Sequence, residues 1–296
     1  GKRHTYPEMA AAGLWTTAGD LALFVVELQN ALRGFSELMS QDMAWYMVYP
    51  VDSGYSLGLS VKDQGGAGYF GHGGWDEGFS AEMVASIDQG YGVVVMTNSN
   101  HPAFIKEVIR GVGFAYGWGG FSVQEKFEVP REALENAPGR YRYDGATAIN
   151  IYREGDRLFM RYTGEKPEEL FFVGNDQFLR RTRETPVRFT GSGDQRTFNF
   201  VVSSDDQPPR KLLAADENLP GEVLEKGSFE EAVAAYRAAL KAHPDEQALS
   251  EDGINRSGLD KLVTNIEFAT AILRINTLLY PGSANTWDSL GKAYKV

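Results

Sequence analysis

The chain has no cysteine, which excludes disulfides and thiolate metal ligation. Its 4 histidines, His4, His72, His101 and His243, are scattered without H-x-x-x-H or related spacing, so no metal site is expected. No apolar run approaches the roughly 18 residues of a membrane span, and membrane insertion is not expected. Positive charge is in the minority: 29 Lys and Arg stand against 40 Asp and Glu, a net charge of −11. That balance argues against nucleic acid or an anionic membrane as partner. No phosphate-cradling glycine loop is present either, since Gly71-His72-Gly73-Gly74 has neither the G-x-x-x-x-G-K pattern nor a helix start behind it. No cofactor is therefore expected. No signal peptide is expected from the first residues, Gly1-Lys2-Arg3-His4.

What is present is an ordinary globular composition, 43% hydrophobic, over 296 residues, enough for two or three cored domains. Residues 1–121 mix helix and strand signals. Thr17-Ala18-Gly19-Asp20 resembles a capping box opening an amphipathic run of Leu21, Phe24, Val25, Leu28, Ala31 and Leu32. A second helix is expected over 37–46, strands over 55–61, 78–87 and 92–97, and a helix over 103–116. Residues 122–214 hold short alternating segments closed by Gly-Asp, Asn-Asp and Gly-Ser turns, the pattern of a small antiparallel β-barrel. A barrel filled with side chains in a structural or lid role is favoured there over a ligand-binding one. From residue 215 onward the chain is helical.

The glycine-rich stretch Tyr69-Phe70-Gly71-His72-Gly73-Gly74-Trp75 carries the best site candidate. Glycine is used where something must approach the backbone closely. The small neighbours leave the His72 imidazole accessible, and Tyr69, Phe70 and Trp75 offer apolar walls. The competing reading, a histidine satisfied inside a glycine turn, weighs equally on the residues alone. Three further motifs have plainer explanations. Gly54-Tyr55-Ser56-Leu57-Gly58 fits the G-x-S-x-G nucleophile elbow, but no helix signal follows the serine. Ser289-Leu290-Gly291-Lys292 fits S-x-x-K inside a repeat helix, where Ser289 and Lys292 fall at variable positions. Ser283-Ala284-Asn285 fits S-x-N in the turn before that helix, as a cap.

Two resemblances sharpen this reading. His4-Thr5-Tyr6-Pro7-Glu8-Met9-Ala10-Ala11-Ala12-Gly13-Leu14-Trp15-Thr16-Thr17, with the glycine motifs at 54–58 and 71–75, resembles the C-terminal part of the serine β-lactamase and penicillin-binding-protein superfamily, in its class C and esterase branch. The barrel would then be the lipocalin-like extension that some members carry. Ala232, Tyr236, Ala239 and Pro244, then Trp287, Leu290, Gly291 and Tyr294, resemble tetratricopeptide repeats. The fold class implied is multidomain: a partial α/β β-lactamase-like domain, an antiparallel β-barrel and helical repeats.

The first resemblance implies acyl transfer to a serine from ester, amide or peptide substrates. His72-Gly73-Gly74 matches the family's third motif, with histidine in the lysine place, so His72 would hold a substrate carboxylate or tune the proton network. Gly73 and Gly74 would keep the strand edge open for substrate, and the Trp75 N–H would be one of two oxyanion donors. The S-x-x-K and Y-x-N motifs should precede His4, so the nucleophile is expected to lie outside these residues and the chain to be inactive alone. A periplasmic or secreted location is expected from the family. The other reading is a non-catalytic module that recruits a protein partner through the repeats and the barrel.

Overall fold

The computed structural model describes residues 13–51, 54–76, 78–99, 102–121, 125–181, 183–201 and 208–295. The segment from His4 to Ala12, and His101, therefore lie outside the described residues. The chain forms two compact units, 1–124 and 125–296.

In the first unit, α1 (Ala18–Leu32) begins where Thr17 Oγ accepts the Asp20 N–H at 3.1 Å, as its capping signal implied. Helix α2 (Gln41–Val48) starts later than expected. Ser36 Oγ holds the N–H groups of Leu38 and Met39 in a local turn, and Ser40 supplies the cap instead. Strands β1 (Ser60–Gln64), β2 (Ala67–Asp76), β3 (Phe79–Ser86) and β4 (Gly92–Thr97) form an antiparallel sheet in that order. Helix α3 (Pro102–Ala115) follows. The expected strand over 55–61 is corrected: Gly54 and Gly58 both adopt φ +83°, bending residues 54–59 into turns before β1 begins. The glycine-rich stretch itself is a strand, β2, rather than a turn. One sheet face buries Phe70, Met83 and Ala85 against Val25, Leu28, Leu32, Ala44 and Val48.

The second unit opens with a short helix, α4 (Arg131–Asn136), absent from the sequence reading. Strands β5 (Gly139–Arg142), β6 (Ala148–Glu154), β7 (Arg157–Tyr162), β8 (Glu168–Phe172), β9 (Gln177–Arg180), β10 (Arg183–Thr190), β11 (Thr197–Phe200) and β12 (Arg210–Lys211) then form an eight-stranded antiparallel sheet in sequential order. It nearly closes: Tyr141 bridges Leu212, and the Leu213 N–H donates to the Arg140 carbonyl at 2.7 Å. Strands β5 and β12 were too short to carry a readable alternation. The interior is filled by Tyr141, Ile149, Ile151, Leu158, Met160, Leu170, Phe178, Val187 and Phe198, with Leu134 and Ala137 packed into the same core.

Helices α5 (Pro220–Lys226), α6 (Phe229–Ala242), α7 (Glu251–Asp260), α8 (Ile266–Leu279) and α9 (Ala284–Ala293) complete this unit. They are tied to the barrel by specific bonds. Arg140 grips Glu222 at 2.8 and 2.6 Å, Arg161 reaches Glu225 at 2.6 Å, and Asn265 donates to the Gly164 carbonyl at 3.0 Å. Ala146, in the β5–β6 turn, is part of the helical core with Ala232, Tyr236 and Phe268. Ala232, Tyr236, Ala269 and Leu273 are buried. Trp287 and Tyr294 instead face solvent, 54% and 68% exposed, while Thr286, Ser289, Leu290 and Ala293 form the buried face of α9. Ser289 is thus part of the buried face of α9.

Candidate functional site

The sheet of the first unit positions the candidate residues. Strand β1 pairs with β2 only from Ala67 to Gly71, where Ser60 stands opposite Gly71. Strand β3 runs on beside β2 to Asp76. Among the described residues, the stretch from His72 to Asp76 thus has strand β3 on one side, while β1 pairs no further than Gly71 on the other. Ser60 Oγ donates to the Gly71 carbonyl at 3.0 Å, so Gly71 turns its backbone groups toward the β1 side. Backbone direction alternates along an antiparallel strand. Gly73 and Trp75 accordingly direct their N–H and C=O groups to that same edge.

Side chains alternate between the two faces as well. Phe70, His72 and Gly74 share the face that packs on α1 and α2, and His72 lies opposite Met83. His72 is exposed, as is Trp75 at 72%. Beyond His72 on its face, Phe79 meets the edge of the Trp15 ring at 5.9 Å. This aromatic pair was missed in the sequence. The signal was the hairpin register, which sets Phe79 opposite Asp76.

The three glycines differ in what they do. A Cβ on Gly71 would sit 2.6 Å from the Met83 carbonyl oxygen, so Gly71 is demanded by internal packing. A Cβ on Gly73 would find ordinary contact with the Ala81 oxygen at 3.7 Å, and one on Gly74 would meet nothing within 4 Å. Neither has a positive φ. Internal crowding and backbone conformation therefore leave the smallness of Gly73 and Gly74 unexplained.

Tyr69 and Phe70 are corrected as walls of the site, since both are buried, at 3% and 1% exposure. Tyr69 lies on the other sheet face. It donates to the Gly119 carbonyl at 2.8 Å and meets the Tyr91 hydroxyl at 3.1 Å. Burial, reinforced by the Tyr91 hydrogen bond, pushes its phenol well above the usual range, so it stays neutral.

The other motifs resolve into structure. The Ser56 hydroxyl donates to the Met47 carbonyl and to that of Leu59 at 3.1 Å, and the chain after it turns into β1 rather than a helix. The elbow geometry is absent there. Ser289 is 1% exposed, and Lys292 pairs with Asp288 at 3.0 Å. Ser283 and Asn285 both donate to Glu251 Oε1, at 2.7 and 3.2 Å, tying the start of α9 to α7. Among the described residues, no three His, Asp or Glu side chains gather to hold a metal ion, and no helix is long and apolar enough to cross a membrane.

Comparison with known proteins agrees with the first unit. Residues 1–115 match the family model described as Beta-lactamase, giving this segment a β-lactamase-like fold. Solved structures that match include SurE with D-Leu, at 17% identity and a TM-score of 0.36, covering 67% of this chain and 50% of that one. SurE without that ligand matches at 17% identity and a TM-score of 0.33, covering 67% and 48%. The octameric penicillin-binding protein homologue from Pyrococcus abyssi matches at 18% identity and 0.33, covering 66% and 46%. The chain spans about half the length of these structures. No curated protein matches.

Proposed function

We propose that this chain supplies the strand-edge wall of a serine acyl-transfer site of the β-lactamase and penicillin-binding-protein type, acting on esters, amides or peptides. The observation that carries the reading is the edge of β2 beyond Ser60, where exposed His72 stands beside two glycines whose missing Cβ atoms leave unfilled space. The match of residues 1–115 to the β-lactamase family supports it. His72, in the third-motif place, holds a substrate carboxylate or tunes the proton network. Gly73 and Gly74 let an extended acyl group lie along the edge, and the Trp75 N–H would be one of the two oxyanion donors.

The nucleophilic serine and its lysine lie outside these residues. Ser56 is held by backbone carbonyls and Ser289 is buried at 1% exposure, away from any substrate, which supports that part of the reading. The first unit also leaves Leu23, Trp45 and Tyr46 exposed at 67%, 47% and 64%, as expected of a fragment of a domain that continues in space. The test is turnover of a p-nitrophenyl ester by a protein that joins these residues to a segment bearing S-x-x-K and Y-x-N. His72→Ala should lower kcat/KM by about 100-fold or more while leaving the fold intact. Unchanged turnover would refute the role of His72.

A second reading keeps the helical segment as a protein-recruiting array of tetratricopeptide type. Trp287 in α9 and Tyr294 just after it stand exposed instead of packing as the repeat signature expects, and they leave aromatic surface open to such a partner. Retention of one specific protein by the chain, abolished by Trp287→Ala, would support it.

A further inference from the structure

The barrel core ends on a polar cluster that the proposed acyl chemistry does not use. Residues two apart on a strand share a face, so the inward Phe178, Met160, Phe198 and Leu170 place Arg180, Tyr162, Phe200 and Glu168 in the next layer. These residues lie at strand ends on one side of the barrel, remote from α4, which packs Leu134 and Ala137 into the core. Arg180 dominates the layer. Its side chain is only 8% exposed, its Nε is fully buried without a hydrogen-bond partner, and its Nη1 stands 3.8 Å from Glu168 Oε2, beyond hydrogen-bond length.

Its other neighbours are rings. The guanidinium carbon lies 5.8 Å from the centroids of both Tyr162 and Phe200. Tyr143, two residues beyond the buried Tyr141, stands edge-on to Tyr162 at 5.1 Å and is 37% exposed. The Arg210 guanidinium lies 5.1 Å from the Tyr143 ring. A buried cation with unmet donors is costly, and ring faces offset only part of that cost. A planar fork of donors between aromatic faces matches the carboxylate of a small, partly apolar molecule. Barrel mouths are also where such ligands are held.

We infer that this end of the barrel is a binding site for a small organic carboxylate carrying an apolar or aromatic group, with Arg180 as its anion-holding residue and Tyr143, Tyr162 and Phe200 as its walls. Glu168 keeps its place on the Nη1 side, so the ligand takes the remaining donors. The inference does not rest on the acyl-transfer reading.

The experiment is calorimetric titration of the whole chain with benzoate and, separately, with inorganic phosphate at equal ionic strength. Benzoate should give saturable heat and phosphate none. Arg180→Met, which replaces a buried cation by an apolar chain, should weaken benzoate binding about tenfold or more. Arg180→Lys, which keeps a charge for Glu168 but loses the fork, should weaken it too and serves if the methionine variant does not fold. Arg153→Met, a charge removal in the hairpin at the opposite end of the barrel, should leave binding unchanged. The inference is overturned by absent benzoate heat, by phosphate binding in its place, by benzoate heat that survives in both Arg180 variants, or by equal loss in Arg153→Met.

Discussion

Ser60 is the first residue of β1, and its hydroxyl donates to the carbonyl of Gly71, the last residue of β2 that β1 covers. That one contact marks where the sheet edge opens and gives the direction of the backbone groups beyond it. The candidate site follows from it.

The glycines on either side of His72 should respond differently to a methyl group. Gly71→Ala puts a Cβ 2.6 Å from the Met83 carbonyl oxygen and should cost about 2 kcal/mol or more of stability. Gly74→Ala meets nothing within 4 Å and should change stability by less than about 0.5 kcal/mol. Thermal unfolding of the two variants checks the contrast. In an assembled acyl-transfer enzyme only Gly74→Ala would combine an intact fold with impaired turnover.

Ser56 should behave as a turn residue. Ser56→Ala loses hydroxyl donation to the Met47 and Leu59 carbonyls and should destabilise the first unit by about 1 kcal/mol. Chemical denaturation measures that loss. Ester turnover in the assembled enzyme should be unchanged by it at temperatures well below unfolding.

The Arg140–Glu222 pair should make the second unit acid-sensitive. Burial alone would raise the Glu222 carboxyl. The paired bonds from Arg140 and the Leu219 N–H at 3.1 Å outweigh it and hold the group below the usual carboxylate range. A carboxyl lowered on folding contributes stability that is present above its unfolded value and is lost as pH falls through its folded value. Stability of the wild-type chain should therefore fall below about pH 4.5, with a smaller fall in Glu222→Gln. Arg140→Met leaves Glu222 buried without its cation and should cost about 3 kcal/mol at pH 7. Unfolding midpoints from pH 3 to 7 test both.

Gly164 joins barrel to helices. It sits at φ +80°, and a Cβ there would run into the Phe268 ring, while its carbonyl accepts from Asn265. Gly164→Ala should cost about 3 kcal/mol, from backbone strain and a clash that the ring must relieve. Unfolding of the second unit by circular dichroism measures it. Loss of helix and of barrel should occur together, because Ala146 belongs to the helical core.

Much of the frame was legible in the sequence. Helix α1 announced itself through Thr17 and its apolar period, and strands β6, β7 and β9 through alternation between Gly and Asn turns. Strand β2 was not legible as a strand because four glycines erase the alternation that marks one. Its site character was read from those same glycines, and only the Cβ geometry separates Gly71, needed for packing, from Gly73 and Gly74. Arg180 could not be singled out, since an arginine beside Arg181 at the end of a short strand looks like an outward charge. Its burial depends on Tyr162 and Phe200, brought beside it by the barrel. The fate of Trp287 and Tyr294 was likewise hidden, because the signature spacing fixes which residues share a helix side and leaves open what packs there.

The most direct test of the central claim, that these residues form the edge of an acyl-transfer site whose nucleophile lies elsewhere, is intact-mass analysis after exposure to a fluorophosphonate probe. The expected result is an unmodified chain, alongside labelling of the S-x-x-K serine when that segment is joined to it. A covalent adduct on Ser56, Ser289 or any other serine of these 296 residues would contradict it.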